Sequence, residues 1–361
     1  MIRLAACSDP DRAVHAYNQG DRMLRSVERF FIGIIAPFCC CLPVAGLAQT
    51  AGTLAWPQEL PEALNPQAKP YISEKSNVVL DLHGSVQDPD LVIFMAGNQY
   101  RVFPELLPAF REWAKRQSRY TGVRTERIFY ATTPPGRLID AMQTGQFVLG
   151  NLWIDVRPDK LWPDVFMTGP RQQSRLAAAK YIDRWSVYTR NRGVVLLIRA
   201  GNPKNIRGIG DLTRPDVRVA ISSPTREPAS FESYSNTLRA QGGSQLPELI
   251  LKKPNTISPV AVHHRENPQF IFDDRADVAP MYFHFGDYLK THLPQRFDYV
   301  SLPAQGNYRD ELAISVIRNA PHPKAAAAWL EFIQSDAAAV VYDRHGFDYA
   351  STEERARTVS Q

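Results

Sequence analysis

The chain has 361 residues, of which 44% are apolar and 22% are charged, and its formal net charge is +5. This composition is that of a globular protein long enough for two domains, and it excludes extended disorder and a fibrous repeat. The lysines and arginines are scattered along the chain, which argues against a nucleic-acid-binding groove because such a groove concentrates basic residues on one face.

The beginning of the chain predicts export. An apolar stretch starts at Phe30 after a short basic region, and it is too short and too interrupted by proline to span a bilayer comfortably. Gly46 and Ala48 place small residues where a signal peptidase reads before it cuts. Residues 1–48 are therefore predicted to be a signal peptide, with Met23 as an alternative start, and the protein is expected in the periplasm. A retained membrane anchor is the alternative.

The cysteines agree with this prediction. All of them precede the expected cleavage site, at Cys7, Cys39, Cys40 and Cys41. The mature chain would therefore hold neither a disulfide framework nor a thiolate metal site. Pro37 and Phe38 stand where a lipid-attachment signal would have small residues, so a soluble protein is expected and not a lipoprotein.

Strands and helices are predicted to alternate after a proline-rich leader at 49–86. Short apolar runs predict buried strands at 91–96, 127–131 and 164–167. Apolar residues at helical spacing follow the first two strands, within 103–113 and 138–142. This alternation is typical of βαβ units and a parallel sheet.

The same pattern restarts after an extended run at 194–198. Further strands are predicted at 217–221, 277–282 and 312–317. A helix across 231–238 is expected to end at Gly242 and Gly243, and another helix begins at Pro323. The last residues, 351–361, are predicted to be a polar tail.

Four segments carry a resemblance to a known family. They are GNPKNIRGIGDLTRPDVRVAISSPTREPASFESYSNTL, DDRADVAPMYF, PDVFMTGP and HPKAAAAWLEFIQSDAAAVVYDRHGF. In this order they resemble the type II periplasmic solute-binding proteins, especially the molybdate/tungstate-binding proteins of ABC transporters. Together they cover most of residues 90 to 350.

The resemblance implies a two-lobed α/β fold in which each lobe is a mostly parallel sheet flanked by helices. It implies a first lobe from 87–189 and 306–350 and a second lobe from 190–305. Two strands that cross from one lobe to the other would form the hinge. The implied function is capture of a small anion by hinge closure, followed by docking on an ABC transporter permease. The protein is expected to be a monomer, to need no cofactor, and to bind no nucleic acid.

The ligand site is expected at the strand ends. In open parallel sheets, ligands bind outside the carboxyl ends of the strands. The loops at these ends supply the candidate ligand-binding residues, which are Gly97, Asn98, Thr132, Thr133, Thr168, Ala229, Ser230, Met281 and Tyr282. Helix N-termini and the hydroxyls of Thr132, Thr133 and Tyr282 would donate hydrogen bonds to a tetrahedral oxyanion such as molybdate or tungstate. The alternative for the threonines is that they only cap helices.

Other ligands and functions stay open. Arg101, Arg137 and Arg171 follow these loops, and one that entered the cleft would favour an organic or phosphate-like anion. More often such an arginine lies on the solvated face. A periplasmic sensor or adaptor that binds a partner is a further alternative.

A metal site and an enzyme are the remaining alternatives. His263, His264, Asp273, Asp277 and His284 cluster in sequence, but their spacing matches no standard zinc pattern. His263 and His264 are expected on a solvated surface. The sequence contains no Gly-x-Ser-x-Gly elbow, no phosphate-binding Gly-Lys loop and no His-Glu-x-x-His pair, so a binding protein without catalytic activity is predicted.

Overall fold

A computed structural model describes residues 81–84, 86–149, 152–260 and 262–360. The predicted signal peptide at 1–48, the alternative start at Met23 and residues 49–80 of the predicted leader lie outside these ranges. Within them, no helix is both long enough and apolar enough to cross a membrane.

The described strands are named in chain order. They are β1 (Leu82–His83), β2 (Leu91–Met95), β3 (Ile128–Ala131), β4 (Gln146–Leu149), β5 (Leu152–Asp155), β6 (Val165–Thr168), β7 (Arg184–Asn191), β8 (Val194–Arg199), β9 (Val219–Ala220), β10 (Thr256–Ile257), β11 (Val278–Tyr282), β12 (Phe297–Ser301), β13 (Glu311–Val316), β14 (Phe347–Tyr349) and β15 (Val359–Ser360).

The described α-helices are named in the same way. They are α1 (Phe103–Lys115), α2 (Pro135–Thr144), α3 (Pro170–Ala178), α4 (Pro228–Gly242), α5 (Leu246–Lys252), α6 (His263–Phe272), α7 (Phe283–His292), α8 (Pro323–Ile333), α9 (Asp336–Arg344) and α10 (Thr352–Ala356). Proline opens α2, α3, α4 and α8, because its fixed φ suits the first helical position and its missing N–H is not needed there.

Two sheets flanked by helices form two lobes, which confirms the predicted α/β class. The first lobe is built on a sheet of order β1-β3-β2-β6-β13-β7-β14, with β15 also paired to β7. The second lobe is built on a sheet of order β10-β9-β11-β8-β12. The sheets are mixed where mostly parallel ones were expected. Parallel pairing is confined to β3-β2-β6 and β10-β9-β11, and the other strands in both sheets pair antiparallel.

The central strands of both sheets are buried on both faces. In β2, Ile93 belongs to one apolar cluster of the first lobe and Phe94 to the cluster on the other face. In β8, Leu197 and Leu196 divide in the same way between the two clusters of the second lobe. Continuous apolar runs predict strands well in this situation, because helices cover both faces of the sheet.

Some elements lie where the sequence indicated none. The stretch 146–155 contains the hairpin β4-β5. Its Phe147 and Ile154 pack into an apolar cluster of the first lobe. Leu82 and His83 of the predicted leader pair with β3. The predicted polar tail contains α10 and β15, and its Arg355 is buried against Asp336. These elements were missed because each is only two to five residues long, too short for a regular period to show.

The chain passes between the lobes twice, from β7 to β8 and from β12 to β13. The two passages touch each other, because the backbone N–H of Val194 donates to Oδ1 of Asn307 at 2.8 Å and Nδ2 of Asn307 donates to the Val194 carbonyl at 3.0 Å. Gly193 has a φ of +88°, and a Cβ there would lie 2.7 Å from Asn307 Oδ1. A glycine is therefore required where the first passage turns.

Candidate functional site in the cleft between the lobes

A cavity of about 550 Å³ lies between the lobes. The first lobe contributes the carboxyl ends of β2 and β6 and the starts of α2 and α3. The second lobe contributes the start of α4 and the end of β11. The loops at strand ends thus meet at one place, as expected for an α/β sheet.

Three helices point their N-termini at this cavity. The first turns of α2, α3 and α4 line it, through Gly136, Arg171 and Ala229 among others. No side chain caps any of these three N-termini. The first N–H groups of a helix have no partner within the helix, and they carry about half a positive charge. The cavity is therefore an environment that favours an anion.

Most charged side chains around the cavity are paired. Arg171 of α3 forms an ion pair with Glu232 of α4, which links the two lobes. Arg175 lies 3.7 Å from Asp140, and Glu311 lies 3.0 Å from Arg190.

Two arginines at the cavity stand out from this pattern. Arg137 and Arg226 are exposed, and among the described residues neither has a carboxylate within ion-pair distance. They add positive charge to the three helix N-termini that an anion would meet.

A second polar group lies where the chain passes between the lobes. The carboxyl of Asp310 contacts the hydroxyls of Tyr282 and Ser233, and Nδ2 of Asn191 donates to it at 3.4 Å. Burial raises the pKa of Asp310, and these hydrogen bonds oppose the rise. Burial also raises the pKa of Tyr282 well above its usual value, and the nearby Asp310 charge adds to that effect.

A buried hydrogen-bond chain fixes the start of α4. Glu227, the residue before the helix, accepts the backbone N–H of His263 at 2.7 Å and lies 3.0 Å from its Nδ1. The other ring nitrogen of His263 lies 2.8 Å from the Tyr234 hydroxyl. Because a carboxylate only accepts, Nδ1 of His263 carries the proton that is donated to Glu227. The chain positions the N-terminus of α4 at the cavity.

The floor of the cavity is packed closely. His264 stacks between Tyr100 of the first lobe and Phe285 of the second, with ring centroids 5.5 and 5.1 Å away. Burial, with positive charges nearby, lowers the pKa of His264 well below its usual value, so the ring is neutral. Gly97 lies against it, since a Cβ there would be 2.9 Å from Cε1 of His264 and 2.3 Å from the Thr132 carbonyl oxygen.

The model of the family described as bacterial extracellular solute-binding protein matches residues 91–348. The match spans the strands and helices of both lobes and most of the chain. The chain belongs to this family. No curated protein sequence matches it.

Solved structures of solute-binding proteins share the fold at low sequence identity. The sulfate-binding protein SubI of Mycobacterium tuberculosis H37Rv is 18% identical with a TM-score of 0.55, over 74% of this chain and 88% of that one. The periplasmic molybdate-binding protein of Azotobacter vinelandii is 13% identical with a TM-score of 0.52, over 72% and 99%. L-phospholactate-bound PEB3, a protein of Campylobacter jejuni, is 11% identical with a TM-score of 0.52, over 72% and 99%.

Six of the predicted ligand-binding residues of this solute-binding protein line the cavity. They are Gly97, Asn98, Thr168, Ala229, Ser230 and Tyr282. Their common signal is a position at or just after the carboxyl end of a strand, or at the start of a helix. The cavity lining also includes Arg175, Arg226, Glu232 and Asp310, which the sequence pattern did not single out, and His264, which it named only for a metal site.

Three predicted residues do not line the cavity. Thr132 is buried and its hydroxyl donates to Oδ1 of Asp81 at 3.1 Å. Thr133 is buried too, beside Pro134, which does line the cavity. Met281 points into the core of the second lobe, because neighbouring residues of a strand face opposite sides and Tyr282 takes the side of the cavity.

Of the three arginines named from the sequence, two line the cavity and one does not. Arg137 and Arg171 line the cavity. Arg101 does not, and its guanidinium lies over the ring of Tyr288 with 3.5 Å to the centroid.

The five residues considered for a metal site do not come together. His263 and His264 are buried in α6, contrary to the expectation of a solvated surface, because α6 packs between the two lobes. Asp277 pairs with Arg218, and Nε2 of His284 donates to the Asn98 carbonyl at 2.8 Å. Within the described ranges, no group of three or more metal-binding side chains is present.

Proposed function

We propose that this protein captures a small anion in the cleft between its lobes and delivers it to the permease of an ABC importer. The observation that carries the proposal is the meeting of three uncapped helix N-termini, from both lobes, beside Arg137 and Arg226. An anion that touches both lobes stabilises the closed form more than the open one, which is how binding drives closure. The proposal includes a periplasmic location after signal-peptide removal, a monomeric state and no catalytic step.

The hinge proposed for this closure consists of the two passages between the sheets. Gly193 lies in the first passage, and Asn307 of the second holds the backbone of Val194. A hinge changes the φ and ψ angles of a few residues at the ends of elements. The proposed lobes are 87–189 with 306–350, and 190–305.

The preferred ligand class is an organic or phosphate-like anion. Pockets for organic ligands commonly have about 300–1,000 Å³, and the cavity of about 550 Å³ is within this range. Arginines line the cavity, whereas the Thr132 and Thr133 hydroxyls expected around a bare oxyanion are buried behind it. A guanidinium binds carboxylate, phosphate or phosphonate oxygens in pairs, which suits such a ligand.

Molybdate or tungstate is the second candidate. Proteins named for binding sulfate and molybdate share this fold with TM-scores of 0.55 and 0.52. Helix N-termini alone can hold a tetrahedral oxyanion, and closure of the cleft would reduce its volume around a small one.

A sensor or adaptor that binds a protein partner is less well supported by the cleft. Large exposed apolar side chains such as Trp153, Val148 and Val260 do not line the cavity. The cavity lining combines apolar residues with charged, hydroxyl and amide side chains, and a mixture of apolar surface and placed polar groups is expected for a small solute.

Calorimetric titration of the purified protein tests the proposal. The titrants are molybdate, tungstate, sulfate, phosphate, ethylphosphonate and propionate. We expect at least one of them to bind, and Arg226→Gln to weaken that binding roughly threefold to tenfold, by more at low salt because the arginine is exposed. The control is Arg239→Gln, a change on α4 at an arginine that pairs with Glu248 away from the cavity. No binding by any of these anions, or equal loss in both variants, would refute anion capture at this site.

A further inference from the structure

Five carboxylates line the cavity among the described residues, and only Asp310 has no basic side chain in contact with it. Glu227 contacts His263. Glu232, Glu311 and Asp140 each pair with an arginine. Asp310 contacts hydroxyl and amide groups, and within the described chain no lysine, arginine or histidine forms an ion pair with it. The cavity therefore presents unpaired positive charge at Arg137 and Arg226 and unpaired negative charge at Asp310.

We propose that Asp310 forms a second subsite in the cavity, which accepts a hydrogen bond from a donor group on the captured anion, with an ammonium group preferred over a hydroxyl. The inference rests on the proposed function, because the anionic part of the same ligand would bind at the helix N-termini. It makes the ligand an organic molecule with two polar ends, and it disfavours a bare oxyanion, which has only acceptors.

The surroundings of Asp310 fit this role. Asp310 is a lining residue of the cavity and is half-buried. Tyr282 and Ser233 come from the second lobe, and Asn191 ends the last strand before the first passage between the lobes. A carboxylate has about four acceptor positions, so the three protein donors leave room for a donor on the ligand. An ammonium group also supplies the missing positive charge, which is worth more where water is excluded.

The position of Asp310 also connects the subsite to closure. Asp310 precedes β13 directly, and its carbonyl accepts the backbone N–H of Asn191 at 3.0 Å, so it joins the two passages between the lobes. A ligand with one end at the first turns of α2 and α3 and the other at Asp310 would contact the first lobe and the hinge together.

Titration with matched compounds tests the subsite. One series is 2-aminoethylphosphonate, 2-hydroxyethylphosphonate and ethylphosphonate, and the other is alanine, lactate and propionate. Within each series only the donor group changes. We expect the amino compound to bind at least tenfold more tightly than the unsubstituted one in at least one series. In Asp310→Asn, which keeps an acceptor but not the charge, this preference is expected to fall below threefold.

The control is Asp298→Asn on β12, which removes a half-buried carboxylate paired with Lys290 of α7 and should keep the full preference. Equal binding of amino and unsubstituted compounds by the native protein would overturn the proposal, as would a preference that survives in Asp310→Asn. A hydroxyl compound that binds as tightly as the amino compound would contradict the preference for an ammonium group, whereas one that ranks with the unsubstituted compound supports the role of charge.

A second measurement separates this inference from the proposed function. If none of the compounds binds, anion capture fails for these ligands, and the unfolding temperature of the ligand-free protein still decides about Asp310. A carboxylate whose role is to bind a ligand lowers the stability of the ligand-free protein, because its charge has no partner there. Asp310→Asn should therefore unfold at a higher temperature than the native protein. A lower unfolding temperature in that variant would show that Asp310 serves only to hold Tyr282 and Ser233, and would overturn the proposal.

Discussion

Gly97 gives the most direct test of the cavity floor. A Cβ at this position would lie 2.3 Å from the Thr132 carbonyl oxygen and 2.9 Å from Cε1 of His264. Neither neighbour can easily move, because the backbone N–H of Thr132 donates to Asp81 at 2.8 Å and His264 is stacked between two rings. Overpacking of this kind costs about 1–3 kcal/mol. For a domain of this size, Gly97→Ala is then expected to lower the unfolding temperature by roughly 6 °C.

The control for this change is Gly210→Ala. Gly210 is exposed in the short 3-10 helix Ile209–Thr213, and a Cβ there would meet nothing within 4 Å. We expect its free energy of unfolding to change by less than about 0.5 kcal/mol. Differential scanning calorimetry of both variants measures the difference, and titration with the best-binding anion should show weaker binding only in Gly97→Ala. Equal unfolding temperatures for the two variants would refute the close packing between the floor of the cavity and the end of β3.

Two further predictions concern contacts between the lobes. Glu232→Ala removes the ion pair with Arg171; since both side chains are more than half exposed, the pair is worth at most about 1 kcal/mol. The ligand-free protein should then open measurably in small-angle scattering, and an unchanged radius of gyration would contradict the role of this pair. Burial lowers the pKa of His284 to about 3, so the unfolded chain binds the proton more readily and stability falls as the pH drops from 6.5. His284→Gln can still donate to the Asn98 carbonyl, and its unfolding temperature should fall less between pH 6.5 and about 5; an unchanged slope would contradict this assignment.

The candidate site was predictable from sequence only where a residue's position along its element decided its direction. Gly97, Thr168 and Ala229 lie at or just after the end of a strand or in the first turn of a helix, and the ends of parallel strands and the starts of the following helices meet at one edge. Thr132 and Met281 share that pattern but face away from the cavity. Their direction depends on strand alternation and on one contact to Asp81, a residue 51 positions earlier in the chain.

The sequence by itself determined the elements whose residues are buried all round or patterned at a regular period. The apolar runs of β2, β3, β6, β8 and β11 predicted strands because helices cover both faces of the sheets they form. Proline and glycine marked where several helices begin or end, because their backbone preferences are local. The four quoted segments indicated the family for the same reason, since each contains several such local signals.

Only the tertiary structure decided what depends on two distant parts of the chain. The antiparallel pairs β8-β11 and β7-β13 join strands that are far apart in the chain. His263 and His264 are polar in sequence, but Glu227, Tyr100 and Phe285 bury them from other elements. Asp310 is one acidic residue among many until Tyr282, Ser233 and Asn191 surround it without a cation. Pairing of charges across the cleft is a long-range property, and no local pattern along the chain records it.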